Sequence, residues 1–527
     1  MNKSLLLAAA ISVALLAGAT SAAEIVPINF DDPGEGYNDA TPATPVGGNP
    51  GTTVGEQRQI VAQFAANLWG GVLVSDVPVY VGAEFNPLDP DVLGSAGASF
   101  IFRNFTNAAV PDTWYSAALA EARSGIDLNS QYVDISSRFS STFTFYYGLD
   151  GNTPAGQVNF LDVVMHEFGH GLGFQNFENE ATGAFSSGYA DIFSTFIYDN
   201  TTGKRWTQMT IAECQASALN YGDVVFDGAS ATAGAGLILG PRTTFRVTAP
   251  GAVAGDYANG FTLFGPAPTP TNFGGTVALG LDDLNPTGPT GTDGCTPLTN
   301  AAAIAGNIAL LDRGTCVIAV KTKNAQNAGA TGVMIANGLL NAAQNPPPGF
   351  SGVDATIVIQ TVVVTYANGV ACKADLPIQA GFMVDPTKLQ GADNAGRPRL
   401  FMPNPVQSGS SGSHYDSNAL PNLLMEPVIN STLLGGLNLD ITPNLLQNTG
   451  WTLNGGNAKI NGCDTTIDVV NDAGIIVGAN VQATSNLCLA SSAGKGAYKR
   501  CMEVYKRKLV ASGLVTGKQG GIRPAPL

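Results

Sequence analysis

"HEFGHGLGFQNF", residues 166–177, holds two of the three histidines in a chain of 527 residues. His166 and His170 stand at i and i+4, so on a helix they project from one face, one turn apart. Two imidazole nitrogens so placed reach a single zinc ion about 2 Å away. Glu167 lies between them in sequence and is angled toward a water on the metal rather than toward the metal itself. Zinc draws the pKa of such a water toward about 7, and a carboxylate beside it takes up the proton and passes it to a leaving amine. Peptide-bond hydrolysis is the reaction that this arrangement suits best.

Two imidazoles and a water leave a tetrahedral catalytic site one protein ligand short. The next position in the pattern is Asn176, a neutral amide and a poor zinc donor. Glu178 and Glu180 follow too soon after the helix to return on a separate element, although a carboxylate as third ligand remains an alternative. The one imidazole left is His414, in "SGSSGSHYDSNALPNLLMEP", residues 408–427 in a Gly/Ser-rich approach to a Leu-Leu-Met run. A lone histidine in such a loop is by default a surface residue; here no other imidazole competes for the vacancy.

This combination, H-E-x-x-H-x-x-G with a distant histidine and then a methionine, resembles the metzincin zinc peptidases, in particular their leishmanolysin-like branch. The resemblance implies His166, His170 and His414 as zinc ligands, Glu167 as general base and Met425 as the residue of the turn beneath the metal. It covers roughly residues 24–188 and 409–451 and departs from the family pattern at Asn176 and at Pro427, where a tyrosine would stand. With no tyrosine there, the oxyanion falls more heavily to the zinc. Tyr189 and Tyr415 are other tyrosines whose position relative to the site the sequence leaves open.

More than two hundred residues separate His170 from His414, too many for a loop without structure of its own. Within them "GNIALLDRGTCVIAVKTKNAQNAGATGVMIANG", residues 306–338, reads as strand, helix and strand in one βαβ unit. Asp312-Arg313-Gly314-Thr315-Cys316 and the Asn324 to Gly329 stretch resemble the protease-associated (PA) domain, a non-catalytic module, with Asp312 and Arg313 structural. The expected fold is α+β: a metzincin-like catalytic domain with an inserted α/β protease-associated domain and a small C-terminal extension. The expected boundaries are 1–23 for a signal peptide, 24–235 and 391–454 for the two parts of the catalytic domain, 236–390 for the insert and 455–527 for the cysteine-containing extension.

Local patterns supply the elements. "VGEQRQIVAQFAANLWGG" from Val54 and "WYSAALAEARSG" from Trp114 read as helices, "VPVYVGAEF" from Val77 and "TFTFYYG" from Thr142 as strands. Asn159 is a candidate cap for the histidine helix, and Gly171 and Gly173 its end. "ATIVIQTVVVTY" and "LPIQAGFMV" add strands to the insert. "NLDITPNLLQNTGW" is a short helix, and "YKRCMEVYKRKLVASG" a helix whose cations read as a solvated face.

Composition excludes some partners. The formal charge is −15 with a pI near 4.5, so a phosphate backbone is repelled and nucleic acid is not an expected partner. The acidity speaks for solubility outside the cell; bound calcium is the sharper reading, without a motif to support it. Residues 1–24, with Lys3, the apolar Leu5 to Ala17 and small residues before Glu24, have the form of a secretory signal peptide cleaved after Ala23. The mature chain is expected to be exported, extracellular or periplasmic, without a membrane span. Seven cysteines then suit an oxidising compartment, with at least one thiol left over; the sequence leaves their pairing open, and Cys295–Cys316 and Cys488–Cys501 are the candidates that lie close in the chain. No cysteine precedes Cys214, so latency through a prodomain thiolate on zinc is not available.

The expectation is therefore a secreted zinc endopeptidase with one catalytic zinc, acting on protein or peptide substrates laid along a cleft edge as an added strand. The alternative is an inactive, exported binding or surface-attachment protein that keeps the fold.

Overall fold

The computed structural model describes residues 22–520 apart from 263, 285, 287, 289 and 351–353. The expected signal peptide thus lies almost wholly outside the described residues. Among them no helix is long and apolar enough to cross a membrane.

The first half of the chain builds a small mixed sheet with helices packed on it. In chain order the elements that matter for the site are β1 (Ile25–Asn29), α1 (Val54–Val72), β2 (Val79–Asn86), β3 (Gly94–Ala98), α2 (Ala117–Ser124), β4 (Ile135–Ser140) and α3 (Phe160–Gly171). The sheet order is β1-β2-β4-β3; β1, β2 and β4 run parallel, and β3 pairs antiparallel with β4 at one edge. α1 begins at a capping box in which Thr53 accepts from the Glu56 N–H and the Glu56 carboxylate accepts from the Thr53 N–H. Its apolar stripe, Val61, Phe64, Ala65, Leu68 and Trp69, is fully buried in a core shared with Phe160, Val164 and Phe168 of α3.

Most expected elements form where the pattern places them. The strand expected from Thr142 shortens to Phe145–Tyr146, because its partner, Val158–Asn159, turns at once into α3 and leaves nothing further to pair with. The rings of Phe145 and Tyr147 pack on Phe160 instead, with centroids 5.1 and 5.4 Å away.

A second, eight-stranded sheet occupies the middle of the chain. Its long antiparallel pair is Pro241–Ala249 with Ile378–Leu389. Between them in sequence, Gly274–Leu279, Ile308–Asp312, Gly332–Ala336 and Gln360–Val364 run parallel in adjacent positions. The 306–338 segment is the βαβ unit expected, with helix Ile318–Asn327 as the crossover. Two separate apolar layers fill the faces of this sheet, so it has its own core. The molecule is a mixed α/β protein with this module inserted between the two halves of the site.

Both local disulfides form, Cys295–Cys316 and Cys488–Cys501. Cys214, Cys372 and Cys463 are free, the first two buried. The C-terminal segment is not a loose tail: Ala479 and Ala483 of helix Val477–Ala490 join the same buried cluster as α1, and Ala479 lies against Gly71.

Candidate metal centre and substrate cleft

α3 is positioned by its polar ends and its glycines. The Asn159 side chain accepts from the Leu161 N–H and caps the start. Near the other end two indoles secure its carbonyls: Trp69 Nε1–H donates to Met165 O (3.1 Å) and Trp451 Nε1–H to Leu172 O (2.7 Å). The helix comes down on the sheet at Gly171, where a Cβ would sit 2.2 Å from Ile135 Cγ2 on β4. At Gly169 a Cβ would stand 2.8 Å from Met425 Sδ, so the methionine sulfur packs directly on the helix backbone between the two histidines.

The structure brings the third imidazole to the other two. His166 Nε2 is 3.0 Å from His170 Nε2, which is 3.2 Å from His414 Nε2, and the third side of the triangle is 3.3 Å. Each ring is turned by a backbone carbonyl: the Nδ1–H groups of His166, His170 and His414 donate to Leu424 O (2.7 Å), Phe174 O (2.8 Å) and Ser410 O (2.8 Å). A carbonyl only accepts, so the proton sits on Nδ1 and each Nε2 presents a bare lone pair. Three lone pairs facing one another across about 3 Å repel unless a cation sits among them. Tetrahedral zinc–nitrogen bonds of about 2.0–2.1 Å put nitrogens about 3.3 Å apart, close to the observed triangle. Neutral imidazole is the form zinc takes, and burial pulls His166 down to about 4 and His414 to about 3, with His170 well below its ordinary value. The residues fit one zinc ion held by His166, His170 and His414.

Glu167 is 5% exposed, and its Oε2 has no hydrogen-bond partner. Burial pushes its carboxyl up to about 8, opposed by the Ala96 N–H; a cation beside it reverses that penalty. Glu167 and the three histidines line one cleft of about 600 Å³ with Leu93–Ala96, Gln175, Asn176 and the 408–413 loop. One wall is the free edge of β3. Leu93 O accepts from the Ser140 N–H (2.9 Å) and the Ser99 N–H donates to Asp134 O (2.8 Å), so odd-numbered residues here face β4. The backbone groups of Gly94, Ala96 and Ala98 therefore face the open edge.

The other residues singled out in the sequence take definite places. Asn176 is no part of the imidazole triangle: its N–H donates to Ser413 Oγ (3.2 Å), so it braces the loop that delivers His414. Glu178 is engaged by Ser194 Oγ and lies beside Asp191; it lines the cleft with Glu180, and neither belongs to the metal-ligating group. Among the described residues the one metal-ligating group of three or more is His166, His170 and His414. Tyr189 packs against Arg103 and Trp114, and Tyr415 against Phe174, and neither lines the cleft. Met425 is fully buried, and its carbonyl accepts from the Tyr415 N–H (2.9 Å), tying this segment to the residue after His414. What the sequence did not disclose is the support around them. Asp440 accepts from the Leu424 N–H (2.5 Å) and so steadies the carbonyl that holds His166; β3, a Gly/Ala/Ser stretch without strand-like alternation, supplies the cleft wall.

Residues 277–372 match the PA domain family. This is the inserted βαβ region and its flanking strands. An aminopeptidase of Pseudomonas aeruginosa (strain UCBPP-PA14) is 34% identical over 139 residues, 25% of this chain and 24% of the relative. The human ER degradation-enhancing alpha-mannosidase-like protein 3 is 50% identical over 44 residues, 8% of this chain and 5% of that protein. The chain thus spans a quarter or less of the length of these curated relatives. Among solved structures, a zinc aminopeptidase from Bacillus subtilis is 18% identical with a TM-score of 0.19, over 29% of this chain and 36% of that one.

These findings correct the family assignment made from the motif. The family that matches is the PA domain, and the relative named as a peptidase is an aminopeptidase, not a leishmanolysin-like metzincin. An H-E-x-x-H helix with a distant histidine is a local solution to holding one metal, and it does not by itself specify the ancestry of the body around it. The three-histidine centre stands on its own geometry.

Proposed function

We propose that this chain is a zinc-dependent peptidase. The observation that carries the reading is the triangle of Nε2 atoms 3.0–3.3 Å apart, lining one cleft with a buried carboxylate whose Oε2 has no partner. A bound zinc ion supplies Lewis acidity, lowering the pKa of a water and polarising a carbonyl. Glu167 accepts the proton of the attacking water at Oε2 and delivers it to the departing nitrogen. The outward backbone groups of Gly94 and Ala98 and the Ala96 carbonyl hold the substrate extended beside β3, and the His414 loop closes the opposite side.

Within that reading we put cleavage of internal bonds first, because a peptide paired along β3 runs past the triangle on both sides. Removal of N-terminal residues is the second reading, favoured by the 34% identical segment shared with an aminopeptidase. The PA domain adds no catalytic group to either.

The test begins with zinc content by elemental analysis, expected at one ion per chain, and cleavage of a protein substrate that a chelator abolishes. N-acetylated, internally quenched peptides then separate the readings from aminoacyl nitroanilides: internal cleavage requires turnover of the first, aminopeptidase action only of the second. Stoichiometric zinc with turnover of neither class overturns the peptidase reading and leaves the binding protein. We also propose export of the chain, for which the apolar start of the sequence is the support; N-terminal sequencing of the secreted protein, expected to begin at Glu24, tests it.

A further inference from the structure

The charged residues lining the cleft are Asp91, Glu167, Glu178, Glu180 and Glu426, together with the three histidines; no lysine or arginine is among them. The histidines are neutral in the form that binds metal, and burial raises Glu167 and Glu426 to about 8 and raises Glu178 and Glu180 as well, so the lining offers acids alone, whose ionisation a cation entering the cleft favours. Glu167 belongs to the chemistry. Glu178 is tied to Ser194 beside Asp191, and Glu426 accepts from the Leu423 N–H (2.8 Å), so both have structural work. Asp91 and Glu180 lie on different segments, one just before β3 and the other after the histidine helix, and no lysine or arginine lines the cleft beside them among the described residues. The partnerless, buried Oε2 of Glu167 independently marks the same cleft as a place where a ligand belongs.

We infer that the cleft selects peptides carrying lysine or arginine close to the scissile bond, with Asp91 and Glu180 as specificity-determining residues. The inference rests on the peptidase reading of the same site and names its substrate class. A lining of acids with no lysine or arginine among them favours a cationic side chain over an acidic one, in keeping with a molecule whose formal charge is −15. Guanidinium or ammonium groups meet carboxylates in charge-assisted hydrogen bonds that a neutral side chain cannot make. Because Asp91 is exposed and Glu180 part-exposed, the selection weakens as salt screens it.

The test uses the zinc-loaded full chain and matched quenched peptides that differ only in having lysine or arginine, norleucine, or glutamate at each position flanking the cut. The expected kcat/KM is roughly tenfold higher for the basic peptides than for the norleucine ones, lower still for glutamate, with the ratio falling between 50 and 500 mM salt. In D91N/E180Q the basic-to-neutral ratio falls toward one; a general folding defect lowers both rates and leaves the ratio alone. Equal rates for basic and neutral peptides, a preference for acidic ones, or a ratio unchanged in the double variant overturns the inference. A parallel arm measures fluorescence anisotropy of the same peptides on zinc-loaded E167Q. If no peptide is turned over, the peptidase reading falls, while tighter binding of the basic peptides upholds the charge selection and equal or undetectable binding ends it.

Discussion

Every zinc-facing imidazole here is oriented by a main-chain carbonyl and none by a carboxylate, so the three ligands are neutral and the centre keeps the ion's full charge. On the proposed peptidase reading Glu167 is the carboxylate for the chemistry, and Glu167→Gln is expected to keep about one zinc per chain while lowering kcat by roughly a thousandfold or more, read from metal analysis and turnover together. His414→Ala is expected to release zinc to a competing chelator; full zinc retention in that variant disproves the triangle as the metal site. The glycines of α3 answer to packing rather than chemistry. Gly171→Ala pushes a methyl group into Ile135 on the central sheet, an overpacking expected to cost about 1–3 kcal/mol in urea unfolding. Gly171 closes α3 and Gly173 follows at a φ of 119°, as the sequence suggests, while the close approach of Gly169 and Gly171 to Met425 and Ile135 shows only in the fold.

Buried carboxyls set the behaviour of the elements. Asp440 reaches His166 through Leu424, so Asp440→Ala is expected to weaken zinc about 10- to 100-fold, measured by chelator competition, although Asp440 touches no metal. Glu121, on α2, is 1% exposed beside Asp134, and burial first, then the Asp134 charge, push its carboxyl up to about 8. Its folded pKa lies above the unfolded value of about 4.3, so the folded state holds the proton more tightly and stability falls as pH rises from about 4 to 8. Glu121→Gln keeps a neutral side chain that still accepts from the Leu128 N–H. The stability of the variant relative to the natural protein is therefore expected to grow between pH 5 and pH 8; a difference that shrinks or stays constant refutes the burial argument. None of this was legible beforehand, because burial belongs to the fold while a lone Glu or Asp in a helix reads as solvated.

In the whole molecule, the two halves of the metal site are separated by a module with its own sheet and its own apolar layers. The insertion costs the site little because strands Pro241–Ala249 and Ile378–Leu389, where the chain leaves and returns, pair with each other. The C-terminal segment is part of the body: truncation before Gly455 uncovers the face of α1 that helix Val477–Ala490 covers. Such a truncation is expected to lower Tm by several degrees and to raise binding of a hydrophobic dye. Zinc removal is expected to lower Tm as well, since an ion that binds only the folded chain stabilises it by about 4 kcal/mol at a thousand times its Kd.

The sequence by itself determined the chemistry on offer and the local elements: a helix presenting two imidazoles and a carboxylate, one remaining histidine and a βαβ module. Each of these depends on residues close together in the chain, where spacing and side-chain type leave few alternatives. Tertiary structure brought His414, the ligand that the sequence offered, to the other two, and it alone decided that backbone carbonyls orient all three rings and that the cleft is walled by a glycine-rich edge and lined with acid. Those are contacts between residues hundreds of positions apart, and burial and backbone direction, which create them, leave no periodic mark in the sequence.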